Sequence, residues 1–208
     1  MIKKLNRLKV IKKLKSLNIL MFSPREFQDI FGVSKNTASV FLTNNVKNDV
    51  FIKLRNGFYI LKDDQPSLYK IANRLYRPSY ISLESALSFY NIIPETVYSI
   101  TSVSPKATRE FESEIGIFSY KKIKKQVFTG YELKDFHGEK IFIAEAEKAL
   151  SDYLYFVDLN LISLNDRLNL KNINKKKLIS YISIYKRKSL KDLIDKIYVE
   201  YKKPRKIY

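Results

Sequence analysis

The 208-residue chain contains no cysteine, no tryptophan, a single histidine and only five glycines. Without cysteine there are no disulfide scaffolds, zinc ribbons, iron–sulfur clusters or thiol nucleophiles. One histidine, His137, rules out histidine-rich metal sites and leaves any Ser-His-Asp catalysis dependent on that residue. Long apolar runs are missing too: none reaches the ~18 residues of a membrane span. The start, Met1-Ile2-Lys3-Lys4-Leu5, interrupts its apolar positions with charge rather than forming a signal-peptide core. The chain also has no Walker loop, dinucleotide fingerprint, GxSxG elbow or metal-spaced acid cluster. These absences lead us to expect a soluble cytoplasmic protein that has no membrane partner, cofactor, metal or catalytic site.

Lysine is plentiful. Lys+Arg number 39 against 21 Asp+Glu, a formal charge of +18. The excess is uneven: residues 1–62 carry +10, residues 63–150 carry 0 and residues 151–208 carry +8. A uniform lysine bias would not leave the middle neutral, so the N-terminal block is expected to face an anion, nucleic acid first among the candidates. Hydrophobic residues make up 45% of the chain, enough for a packed core.

In the N-terminal block, Leu5, Leu8, Ile11, Leu14 and Leu17 recur every three residues, predicting an amphipathic first helix with lysines outside. Ser23-Pro24-Arg25-Glu26 reads as a capping-box start for a second helix through about Phe31, with Phe27, Ile30 and Phe31 inward. Gly32-Val33-Ser34 supplies a tight turn, an apolar plug and the cap of a third helix, Lys35 to Asn45. Small Ala38 permits close helix approach, and Phe41 and Leu42 anchor the inner face. Lys35, Asn36, Thr37, Ser39, Thr43 and Asn44 are left as short, polar or basic side chains, and no acid occurs from Phe31 to Asn48. A face laid into a major groove must exclude carboxylates that would meet phosphates. Val50–Leu54 and Phe58–Leu61, joined through Arg55-Asn56-Gly57, predict a hairpin with Arg55 and Asn56 at a wing tip. Residues 1–62 are therefore expected to be a winged helix-turn-helix DNA-binding domain.

Asp63-Asp64-Gln65-Pro66 marks a boundary, and residues 63–208 read as a second, mixed α+β domain. Helices are predicted over residues 67–76, 82–90, 144–157, 175–184 and 189–202. Between them lies a short antiparallel meander over about 97–101, 108–112, 116–120, 126–133 and 140–143. Glu145 and Glu147 sit at a helix start, where acids suit the helix dipole without any catalytic role. His137, between Phe136 and Gly138, falls in a turn. Lys121-Lys122-Ile123-Lys124-Lys125 either touches phosphate or protects a sheet edge, and Tyr153-Leu154-Tyr155-Phe156 reads as core.

Two stretches, Ile81-Ser82-Leu83-Glu84-Ser85-Ala86-Leu87-Ser88-Phe89-Tyr90-Asn91-Ile92-Ile93-Pro94-Glu95 and Ile143-Ala144-Glu145-Ala146-Glu147-Lys148-Ala149-Leu150-Ser151-Asp152-Tyr153-Leu154, follow the helix-turn-helix. Over roughly residues 20–157 the chain resembles the AbiEi family of antitoxins and transcriptional regulators from type IV toxin–antitoxin and abortive-infection loci. The resemblance implies a bipartite protein. Its winged helix would bind inverted repeats of double-stranded DNA in its own promoter and repress the operon. Its C-terminal domain would oppose a co-encoded nucleotidyltransferase-like toxin without needing a stable complex. The DNA-contacting role transfers to Lys35, Asn36, Thr37, Ser39 and Thr43, with Arg55 at the wing. Two other readings are a toxin-binding interaction protein without sequence-specific DNA binding, and a nucleic-acid-processing enzyme that a winged helix delivers to its substrate.

Overall fold

The structure, a computed structural model, describes residues 5–55 and 57–201. It is a mixed α+β protein with eight α-helices and two sheets among the described residues. The chain divides into two compact units. One comprises residues 1–71 together with 111–117, the other residues 72–110 together with 118–208.

The first unit begins with α1 (Arg7–Ser16), capped by the Asn6 side chain, which accepts from the Lys9 N–H at 3.1 Å. Only Val10 and Leu14 of α1 are buried, while Leu8 and Leu17 are 66% and 50% exposed. The expected stripe of five apolar residues is thus corrected. A spacing of three drifts around a helix of 3.6 residues per turn, so the inward face is the i, i+4 pair Val10 and Leu14. Leu5 and Ile11 pack at its margin, and Leu17 lies past the helix end.

Next come β1 (Met21–Phe22), α2 (Pro24–Phe31), α3 (Lys35–Lys47), β2 (Phe51–Arg55) and β3 (Phe58–Leu61). The three strands form a small antiparallel sheet in the order β1-β3-β2. Arg55 pairs with Phe58, so β2 and β3 form the expected hairpin, with Gly57 at φ +95°. Asn56 itself lies outside the described residues. An aromatic core closes the unit: Phe22 packs at 5.7 Å from Phe27 and 5.5 Å from Phe51, and Phe27 at 4.5 Å from Phe31.

α4 (Leu68–Leu75) carries the division between the units. The second unit continues through β4 (Tyr80–Ile81), α5 (Leu83–Phe89), β5 (Ser99–Ser104), β6 (Arg109–Ser113), β7 (Gly116–Lys122), a 3-10 turn (Lys125–Val127), β8 (Tyr131–Phe136), β9 (Glu139–Ala144), α6 (Ala146–Asp158), α7 (Lys175–Ile184) and α8 (Lys188–Tyr201). Its sheet has six strands in the order β6-β7-β5-β4-β9-β8, with residues 111–117 of the β6–β7 hairpin counted in the first unit.

The expected antiparallel meander needs correcting. β4 lies between β5 and β9, antiparallel to the first and parallel to the second through Ile81 and Ile143, so the sheet is mixed. Two residues are too few to show a period, and β4 is fixed by its neighbours. The expected strand over 126–133 is instead the 3-10 turn followed by β8, because Val127 turns inward and Gly130, at φ +72°, precedes the true strand. Among the described residues, no helix is long and apolar enough to cross a membrane.

Candidate nucleic-acid interface

The turn from α2 to α3 is built from local chemistry. Ser23 closes a capping box: its hydroxyl accepts from the Glu26 N–H at 3.2 Å, while Glu26 accepts from the Ser23 N–H at 2.7 Å. Gly32 ends α2 at φ +60°, the left-handed region where a side chain is strained. Ser34 caps α3 by accepting from the Thr37 N–H at 3.2 Å, and the Ser34 and Thr37 hydroxyls lie 3.0 Å apart.

One face of α3 is fixed inward. Ala38 and Leu42 are buried, and Phe41 stacks 5.6 Å from Phe27. Asn45 is buried as well, its amide donating to the Phe41 carbonyl at 2.8 Å. The opposite face is solvent-exposed and carries Lys35, Asn36, Ser39, Val40, Thr43, Asn44 and Lys47, none of them acidic. Five of the six α3 residues singled out from the sequence are therefore exposed: Lys35, Asn36, Ser39, Thr43 and Asn44. Thr37 is half-buried, with its hydroxyl engaged in the cap.

Sequence reasoning missed Val40 and Lys47. Val40 is 53% exposed and lies on the stripe Asn36, Val40, Thr43, Lys47, spaced i, i+4, i+7, i+11. The helical spacing contained that signal, but an aliphatic residue reads by default as core. In a major groove an aliphatic side chain can contact the thymine methyl, while Asn pairs with adenine and Lys with guanine or phosphate.

Arg55 ends β2 and is half-buried rather than a bare tip. Its guanidinium lies 4.9 Å from the Phe58 ring centroid and 4.7 Å from that of Phe111. Elsewhere in the unit Lys13 donates to the Ile30 carbonyl at 2.7 Å, Lys15 pairs with Asp64 at 3.4 Å and Lys62 with Asp49 at 3.0 Å. Arg7, Lys9, Lys12, Lys47 and Lys53 remain exposed.

The second unit gathers its ionisable groups in two places. At the start of α6, Glu145 accepts from the Tyr181 hydroxyl and from Lys177 at 3.1 Å, and Glu147 accepts from the Asn174 N–H at 3.0 Å. Burial pushes the Glu145 carboxyl up, but these donors outweigh it and hold the group below the usual carboxylate range. The acid pair thus fastens α7 to α6.

Deeper in the unit, Asp152 and Lys148, one turn apart on α6, are both fully buried, 2.5 Å from each other. Asp152 also accepts from Ser82 at 2.8 Å, from Tyr80 at 3.1 Å and from Tyr185, whose hydroxyl also accepts from Lys148 at 3.1 Å. Burial pushes both phenols well above the ordinary tyrosine range. The sequence reading did not find this network, because an i, i+4 Lys–Asp spacing is that of an ordinary surface pair.

His137 sits exposed in the β8–β9 turn at φ +51°, as expected. Tyr153, Leu154 and Phe156 are core. Of the lysine run 121–125, Lys121 and Lys122 end β7, which lies between β6 and β5, while Lys124 and Lys125 lie beyond it. No group of histidines and acids among the described residues could hold a metal ion. No protein-family model matches the chain, and a comparison with curated proteins finds no relative.

Proposed function

We propose that the first unit is a winged helix-turn-helix and that the chain is a sequence-specific, double-stranded-DNA-binding repressor of its own operon. The order helix, strand, two helices and hairpin, with β1 pairing onto β3, is what a winged helix requires. The observation that carries the reading is the solvent face of α3: seven exposed side chains, Lys35, Asn36, Ser39, Val40, Thr43, Asn44 and Lys47, without one carboxylate. An ordinary solvated helix mixes Glu with Lys. A face presented to phosphates and base edges does not.

The second unit is proposed to act as an antitoxin against a nucleotidyltransferase-like toxin, a reading supported by the resemblance of residues 81–95 and 143–154 to the AbiEi family. The first half is tested by a mobility-shift titration on the chain's own upstream DNA against an unrelated fragment of equal length. Preferential, salt-sensitive binding of the upstream fragment is expected. Equal weak binding to both fragments would reject sequence-specific recognition. Co-expression with the neighbouring toxin tests the second half, with restored growth the expected result.

A further inference from the structure

The two outer strands of the six-stranded sheet differ. β6 carries charge at Arg109, Glu110 and Glu112, the usual protection of a sheet edge. β8 carries as many charges, Glu132, Lys134 and Asp135, but they leave an apolar stretch on one face, where Tyr131 and Leu133 are 38% and 55% exposed beside Phe142 of β9 at 42%. Leu133 stands opposite Phe142 in the β8–β9 register, so the three side chains form one apolar patch against the sheet margin. Glu132 and Lys134 point to the other face, where Lys134 bonds Glu132 at 3.2 Å and Tyr90 at 3.4 Å. On the apolar face the charges of β8 and β9 are Asp135 and Lys140, which stand opposite each other at its end and pair at 3.3 Å.

The backbone parity of β8 can be read from its flank. The Glu145 N–H donates to the Gly130 carbonyl at 3.0 Å, so within the same register Glu132, Lys134 and Phe136 are the residues bonded to β9. The N–H and C=O groups of Tyr131, Leu133 and Asp135 therefore point outward, and no strand among the described residues pairs with that side.

We infer that a second copy of this chain pairs antiparallel with β8, about a two-fold axis at Leu133. Charge selects this partner and this register. With Leu133 opposite its symmetry mate, Tyr131 bonds across to Asp135, and Glu132 stands opposite Lys134 on both sides of the axis. A shift in either direction that keeps the outward groups paired puts Glu132 opposite Glu132 or Lys134 opposite Lys134. Opposite charges directly across an antiparallel pair stabilise it, and like charges destabilise it. The interface gains about six main-chain hydrogen bonds, two for each bonded pair. It also sets each Leu133 side by side with its symmetry mate on the apolar face. Two-fold closure leaves no further β8 edge, so assembly stops at two. The inference does not depend on DNA binding.

A pairing of this size belongs at the small end of specific interfaces, so the dimer should form in the range of about 10 μM. Sedimentation velocity on the full chain from about 1 to 200 μM, without DNA, tests it. A shift from monomer to dimer with rising concentration is expected, together with its loss in Leu133→Lys at an unchanged thermal melt. Glu132→Lys should also abolish the shift, and Glu132→Lys/Lys134→Glu should restore it, so the charge pair decides the matter even if Leu133→Lys unfolds. A monomer at every concentration, assembly beyond two copies, a Leu133→Lys variant that still dimerises, or a double variant no better than the single one would each overturn the inference.

Discussion

Asp152 collects donors from Lys148, Tyr185, Tyr80 and Ser82 in a site closed to water, while among the described residues Lys148 bonds only Asp152 and Tyr185. That asymmetry sets the cost of losing either residue. Asp152→Ala strands a buried ammonium and should cost about 3–5 kcal/mol. Lys148→Met leaves Asp152 with three hydroxyl donors and should cost less, which urea denaturation of the two variants would check. The phenols give a pH signature. Tyr80 and Tyr185 are held protonated in the folded chain, so above pH 10, the ordinary tyrosine value, the unfolded chain releases protons that the folded chain keeps. Their contribution is complete below pH 10 and declines above it, by up to about 1.4 kcal/mol per pH unit for each phenol. Tyr185→Phe should flatten that decline in an alkaline denaturation series. None of this was legible in the sequence, where Lys148 and Asp152 look like a surface pair; only the helices and strands packed around α6 show that the pair is enclosed. The α3 side chains were legible because helical spacing alone assigns their faces. On the proposed reading, Asn36→Ala and Lys35→Ala should erase the preference for upstream DNA while leaving the melting temperature unchanged.

At the scale of elements, what the sequence revealed depended on where the instructions lie. The α2–turn–α3 segment contains its own: Ser23 and Glu26, Gly32, and Ser34 each act on backbone within three or four residues. α7 was likewise readable to its end residues, from Lys175 to Ile184. β1 and β4, two residues each, were not, because nothing within them repeats and their conformation is imposed by β3, β5 and β9. The β2–β3 turn lies between these cases, visible as Asn-Gly yet placing Arg55 between two rings rather than at a bare tip. Gly32→Ala tests the local device. No atom lies within 4 Å of the added Cβ, so the cost should be the left-handed backbone alone, about 1 kcal/mol, read from a thermal melt. Ser34→Ala should cost about as much by removing the α3 cap.

At the scale of the molecule, the +18 charge governs reach rather than shape. If the proposed operator complex neutralises about six phosphates, its affinity should drop by about 10³ between about 50 and 200 mM salt. A titration series at several salt concentrations would give the slope, and a flat one would contradict phosphate contact. The second unit's fold class was legible from the alternation of helical and extended stretches, but its mixed sheet was not, since parallel β4 and β9 come from segments some sixty residues apart. One further consequence follows from the division of the chain. Residues 111–117 belong with residues 1–71, and Phe111 among them lies over the Arg55 guanidinium. The first unit is thus discontinuous in the gene. A reading frame cut after residue 71 encodes it with a piece missing, so recombination cannot transfer it to another protein as a single uninterrupted cassette.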